Sequence, residues 1–235
     1  MTESLVVAEC ISRHFQRDSA RVDAVTNATC SIARGDRIAL MGPSGSGKSS
    51  LLHLLGGLDQ PSSGTVIWPA FGDISELRPS RVVDVFQGPS LLTPLSVLDN
   101  VRLPMLMAGI DEDEATEDAR LALEAFQIGH LAEKLPEEIS GGQAQRVSIA
   151  RAIAIRPSLI LADEPTGQLD SRTSVDVLNA LLRIAGELNA AIVISTHDPT
   201  VASRLRTLWL MRDGLLDTST RDGTSPPLSA LAVPS

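Results

Sequence analysis

Tyrosine is absent and aromatic residues make up only 3% of the chain, so wherever an aromatic platform is needed it must come from phenylalanine or tryptophan. Cysteine is nearly absent. Cys10 and Cys30 are the only two, both in apolar, strand-like surroundings and without Cys-x-x-Cys spacing. The expected state is a pair of reduced core thiols, with a disulfide or metal pair as the lesser reading. No run of about eighteen apolar residues occurs, and residues 1–10 lack a basic segment leading into an apolar one, so we expect a cytoplasmic chain that is neither secreted nor membrane-spanning by itself. Positive charge is in deficit. The 20 Lys and Arg against 29 Asp and Glu leave a formal net charge of -9, which argues against nucleic acid as a partner. No internal repeat, low-complexity tract or heptad run is evident.

What is present is enough chain, 235 residues, for one large α/β domain or a core with a smaller lobe. It is organised around an apolar run, 37–41, that breaks into Gly42-Pro43-Ser44-Gly45-Ser46-Gly47-Lys48-Ser49. This loop fits the phosphate-binding pattern G-x-x-x-x-G-K-[ST] at every fixed position. Its glycines let main-chain N–H groups converge on a polyphosphate without a Cβ in the way. Lys48 supplies charge for the β- and γ-phosphates, Ser49 a hydroxyl for Mg²⁺, and the helix that begins near Gly47 turns its positive end to the anion. Gly42 through Lys48, with Ser49 and Ser50, are therefore the candidate contacts to a nucleotide, and Leu51, Leu52, Leu54 and Leu55 give the helix a buried face.

Around this loop, 5–15, 22–26 and 28–32 read as short strands of an antiparallel flank, and 65–68 as a further strand. From Gly88 the composition changes: Pro89, Pro94 and Pro104 punctuate the entry to a helical stretch in which Ala115, Ala119, Ala122 and Phe126 recur at helical spacing behind the acidic turn Asp111 to Glu114. Beyond it, strands at 159–162, 191–195 and 208–211 alternate with helices at 171–188 and after Pro199. Such alternation implies a parallel sheet covered on both faces. The expected organisation is an α/β P-loop core of about 1–87 and 157–217, an inserted helical lobe of about 88–156, and a tail over 218–235. The tail holds Pro226, Pro227 and Pro234 among small residues and has little reason to fold.

Two further stretches narrow the chemistry. The apolar strand 159–162 runs into Asp163 and Glu164, which would bring one carboxylate to Mg²⁺ and a second to the water that attacks the γ-phosphate. Ser140 and Gln143 have capping-box spacing at the head of a helix with Val147, Ala150 and Ala154 on its apolar stripe, ending near Arg156 before Pro157. Two glycines in its first turn cost about 1 kcal/mol each relative to alanine, which makes sense if that turn approaches a phosphate closely.

In this order the motifs resemble the ATP-binding subunits of ABC transporters, over about residues 5 to 216. The signature stands as Ile139-Ser140-Gly141-Gly142-Gln143-Ala144-Gln145-Arg146, with isoleucine where leucine is usual. Gln87 stands at the Q-loop, Asp163-Glu164-Pro165-Thr166-Gly167 at Walker B, Gln168-Leu169-Asp170 at the D-loop and Thr196-His197-Asp198 at the switch histidine. The resemblance implies ATP and Mg²⁺ as ligands, with Ser49, Gln87 and Asp163 around the metal and Glu164, His197, Gln87 and Lys48 as the catalytic set. It places Ser140, Gly142 and Gln143 over ATP held by an opposite subunit, Asp170 in the coupling of two sites, and Phe15 under adenine, where the alternative is an ordinary core aromatic. His14, His53 and His130 receive no role.

The same resemblance implies a homodimer or heterodimer of ATPase subunits that closes on two ATP and drives an integral-membrane permease from the cytoplasmic face. Residues 51–59 and 161–167 look most like the lipoprotein-releasing and macrolide-export ATPases. The apolar, proline-punctuated region 91–107 is the candidate docking surface, or else lobe core. A soluble ABC ATPase acting on DNA or ribosomes is the rival class; those usually carry two cassettes or a long coiled coil. Gln168 departs from the usual asparagine or alanine, and the segment 65–86 is several residues shorter than the family pattern, which bears on the antiparallel extension expected there.

Overall fold

The computed structural model describes residues 3–17 and 20–220. In chain order the elements begin with strands β1 (Ser4–Arg17), β2 (Ala20–Ala33) and β3 (Arg37–Met41), helix α1 (Lys48–Leu55), and strands β4 (Ser63–Ile67) and β5 (Val82–Val85). Helices α2 (Val97–Met107), α3 (Glu112–Ala125) and α4 (Gly141–Ala154) follow. The chain continues through β6 (Leu159–Asp163), α5 (Ser171–Glu187), β7 (Ala191–Thr196), the short α6 (Pro199–Ala202), β8 (Thr207–Arg212) and β9 (Leu215–Thr220). Residues 218–220 thus end a strand instead of opening a tail, and 221–235 lie outside the described residues. The architecture is the expected α/β class: β3 pairs in parallel with β7 and β8, β5 pairs in parallel with β6, and an antiparallel flank is made by β2, β1 and β4.

Two compact units make up the chain, one running to Glu76 and resuming at Ala191, the other spanning Leu77–Ala190. Boundaries at 87/88 and 156/157 therefore fall inside the second unit. The cause is local bonding: β6 is paired with β5, and the backbone N–H groups of Ser158 and Leu159, which follow α4, both donate to the Arg81 carbonyl at 3.0 Å.

In the first unit, β3 is buried from Ile38 to Met41 and β7 along its whole length, as strands covered on both faces must be. The runs 22–26 and 28–32 form one strand, not two. Asn27 takes a left-handed φ of 49° within β2, a conformation asparagine tolerates, and the β1 register shifts opposite it. The short segment after β4 makes only a turn closed by a Trp68–Gly72 bridge and one 3-10 turn at Ile74–Glu76, so the flank stops at three strands. Leu51, Leu52, Leu54 and Leu55 bury one face of α1, and the Trp68 indole donates to the Leu55 carbonyl at 2.9 Å, satisfying an orphan acceptor at the helix end. Cys30 is a buried core thiol, but Cys10 is exposed: it sits at a β1 irregularity with φ 50°, which turns it out of the core.

In the second unit α3 begins as expected, with the Asp111 carboxylate accepting from the Asp113 N–H at 3.0 Å and acidic residues in its first turn, where the helix dipole favours them. Arg102 of α2 bonds to Asp99 and to Glu112, tying the two helices. The Asp170 carboxylate caps α5 by accepting from the N–H groups of Arg172 and Thr173. Among the described residues no helix is long and apolar enough to cross a membrane.

Candidate functional site

In the first unit the site grows from the C-terminal end of β3. Its parallel pairing puts Met41 opposite Thr196 of β7 and Leu210 of β8, so Gly42 and His197 leave the sheet at the same edge, where open α/β sheets bind ligands. The loop admits only glycine at two points: a Cβ on Gly42 would lie 2.1 Å from the Met211 carbonyl oxygen, and one on Gly47, at φ 104°, 2.0 Å from that of Ala24. Main chain therefore lines the cradle. α1 has no side-chain cap at Gly47, which leaves its first N–H groups for an anion. The Lys48 ammonium donates to the carbonyl oxygens of Gly42 at 2.9 Å and Pro43 at 3.0 Å. Ser46 is buried and its carbonyl accepts from Gly214 N–H at 3.1 Å, which fixes the loop to the β8–β9 turn. Ser44, Gly45 and Ser49 face solvent, and Pro43 and Ser50 are half-buried.

His197 is exposed at the end of β7, followed by Asp198, whose carboxylate caps α6 by accepting from Thr200 N–H at 2.7 Å. Phe15 is 40% exposed in the β1–β2 hairpin, which removes the core-aromatic alternative; the Arg13 guanidinium lies 4.6 Å from its ring centroid.

The second unit carries the acidic half of the motif set. β6 delivers Asp163, half-buried, and Glu164 follows with φ 45°, a sparsely populated conformation for this residue type, of the kind that clusters at functional sites. The Gln87 amide Nε2 lies 3.5 Å from Glu164 Oε2 as a long hydrogen bond, so residues 77 positions apart in sequence meet. The capping box at the head of α4 forms in full: Ser140 Oγ accepts from Gln143 N–H at 3.2 Å, and Gln143 Oε1 accepts from Ser140 N–H at 2.8 Å. Gln143 thus spends its side-chain oxygen on the cap. Gly142 lies beside Leu169, where an added Cβ would come 3.2 Å from Leu169 Cδ2, and this brings the signature turn against the D-loop. The Asp170 carboxyl is held below the usual carboxylate range by its bonds to Thr173 and Arg172.

Two residues in this unit received no role from the sequence. Gln145, fully buried, donates through Nε2 to the Phe86 carbonyl at 3.1 Å and the Pro165 carbonyl at 3.2 Å. Arg151 donates to the Ser90 carbonyl at 2.9 Å and to its hydroxyl at 2.6 Å. The signal for both is a polar stripe, Gln145, Ser148 and Arg151, at steps of three on a helix whose other inward positions are apolar.

The model of the ABC transporter family matches residues 25–167. Among curated proteins, the chain is 42% identical over 217 residues to the lipoprotein-releasing system ATP-binding protein LolD of Bordetella pertussis, covering 89% of this chain and 94% of that protein. It is 37% identical over 219 residues to LolD of Rickettsia felis, covering 92% and 99%. Among solved structures it resembles the ATP-binding cassette MJ0796 in a dimeric post-hydrolysis state bound to ADP and Pi, with TM-score 0.85, 32% identity, and coverage of 94% of this chain and all of that one. It also resembles cbiO1 of Clostridium perfringens, part of the transporter complex cbiONQ, with TM-score 0.77, 28% identity and coverage of 92% and 87%.

Proposed function

The chain belongs to the ABC transporter family as an ATP-binding, ATP-hydrolysing subunit, and from that premise we propose that it energises a membrane permease that extracts or exports lipid-modified protein. The observation that carries this reading is near end-to-end similarity to LolD proteins, at 37% to 42% identity. That similarity speaks against the rival class that acts on DNA or ribosomes.

In this reading the P-loop amides and Lys48 hold the β- and γ-phosphates, and Phe15 offers a face to adenine. The all-backbone cradle at Gly42 and Gly47 and the uncapped start of α1 fit such a polyanion. Mg²⁺, which neutralises phosphate charge when bound, would be held by Ser49, Gln87 and Asp163. Glu164 accepts a proton from the attacking water as its oxygen bonds to the γ-phosphorus and the bond to the β-phosphate oxygen breaks, giving ADP and inorganic phosphate. Gln87 orients Glu164, and His197 donates to the γ-phosphate. Two such subunits close head to tail, each offering Ser140 and Gly142 to the nucleotide of the other, on the cytoplasmic face of the membrane.

The test is reconstitution of the purified chain, with the membrane subunit encoded beside it, in proteoliposomes that carry an acylated protein. ATP is expected to release the acylated protein, and Glu164→Gln to stop both release and hydrolysis. Hydrolysis without release would overturn the cargo class while leaving the ATPase in place.

A further inference from the structure

The loop that carries Gln87 is gripped on both sides by one helix. Before it, the Phe86 carbonyl accepts from Gln145 of α4; after it, Ser90 accepts from Arg151 of α4 and donates its N–H to Ser148 Oγ at 3.4 Å. Gln145 uses the same nitrogen for the Pro165 carbonyl, and Pro165 directly follows Glu164. One buried amide therefore holds the chain neighbours of both Gln87 and Glu164, whose side chains meet at 3.5 Å.

The remaining atom of that amide shows which property of it matters. Gln145 Oε1 is buried and has no hydrogen-bond partner among the described residues. A buried unsatisfied acceptor opposes folding, so the oxygen is not what favours an amide at this position. Rotating the amide would set its oxygen against two carbonyl oxygens. What the site uses is thus the pair of N–H donors, directed at Phe86 and Pro165, at the expense of the oxygen.

We infer that Gln145 is a positioning residue for ATP hydrolysis: its two donated hydrogen bonds keep Gln87 and Glu164 in register with each other. The inference rests on the catalytic roles given above to Gln87 and Glu164. It also connects those roles to the N-terminal end of the same helix. Gln145 stands five residues after Ser140, about 7.5 Å along a rigid α-helix, so a shift of α4 when Ser140 engages a nucleotide moves the Phe86 and Pro165 carbonyls with it.

The experiment is steady-state ATPase kinetics of the full chain, with melting temperature recorded for every variant. Gln145→Met keeps the volume and removes both donors. It is expected to lower kcat at least tenfold and leave KM for ATP within twofold because the P-loop is untouched, with only a modest fall in melting temperature, since the Phe86 and Pro165 carbonyls lose their donor while the unsatisfied Oε1 is removed. Gln145→Glu, which keeps one donor when protonated, falls between. In a Gln87→Ala background, Gln145→Met is expected to lower kcat less than twofold further, because the register it maintains has already lost one member. Unchanged kcat in Gln145→Met, or losses that multiply in the double variant, overturns the inference. If Gln145→Met fails to fold, the same cycle is run with Gln145→Glu. Should Glu164→Gln, assayed in parallel, hydrolyse ATP like the wild type, it is the underlying assignment of the carboxylate that fails, and the two failures are thereby distinguished.

Discussion

At the scale of single residues, burial decides chemistry that composition leaves open. Lys48 is one of two lysines, with Lys134 the other, and its ammonium is buried against carbonyl oxygens of its own loop, already placed where a phosphate would take up its charge. Cys30 shows the same control by environment. Desolvation raises its thiol from 9.0 to about 12, so on raising the pH the unfolded chain ionises first. Its contribution to stability is complete below pH 9.0 and is lost as the pH rises towards about 12, by about 1.4 kcal/mol per pH unit within that window. Without tyrosine and with two lysines, few other groups titrate there. Urea unfolding at about pH 8 and about pH 10 is expected to show wild type losing about 1.4 kcal/mol more than Cys30→Ala; equal losses would mean the thiol stays solvated.

At the scale of elements, the region 91–107 divides into the two readings that its sequence allows. Val97, Leu98, Val101 and Met105 of α2 are buried, whereas Leu92 in the preceding loop is 47% exposed and Met107 at the helix end 71%. The exposed loop is held from within. Asn100, fully buried, accepts from Leu92 N–H at 2.7 Å and donates to the carbonyls of Leu92, Leu95 and Ser96 at 3.0 Å. A rigidly supported apolar side chain is a suitable contact for a partner. Leu92→Ser is expected to change stability by less than about 0.5 kcal/mol, to keep basal ATPase activity, and to abolish stimulation of hydrolysis by the membrane subunit. Retained stimulation would move the docking surface elsewhere.

At the scale of the whole molecule, the sandwich reading requires ATP to hold two chains together. Glu164→Gln removes the base that turns the nucleotide over but keeps its size, while Lys48, Ser49 and Asp163 remain to bind. Light scattering behind size exclusion is expected to show dimer mass for Glu164→Gln only with ATP and Mg²⁺. That mass should vanish when Ser140→Arg adds a bulky cation at the helix that would face the opposite nucleotide. A Glu164→Gln chain that stays monomeric at saturating ATP would require another ATPase chain or the permease for assembly.

Much of this molecule was legible in the chain alone wherever the physics is local. The phosphate loop follows from glycine spacing, the head of α4 from Ser140 and Gln143 three residues apart, the start of α3 from the acidic turn Asp111 to Glu114, and the buried strands β3, β6 and β7 from unbroken apolar runs. Each depends on neighbours within a turn or a strand, so sequence order suffices. The joining of 22–26 to 28–32 through Asn27, the exposure of Cys10 and Phe15, and the grouping of β5, β6 and α5 with the helical lobe were decided by tertiary structure. So was the meeting of Gln145 with Phe86 and Pro165, 59 and 20 positions away. Periodicity marks a residue as inward-facing, but which carbonyl it reaches is fixed only when separate elements pack and every buried donor must find an acceptor.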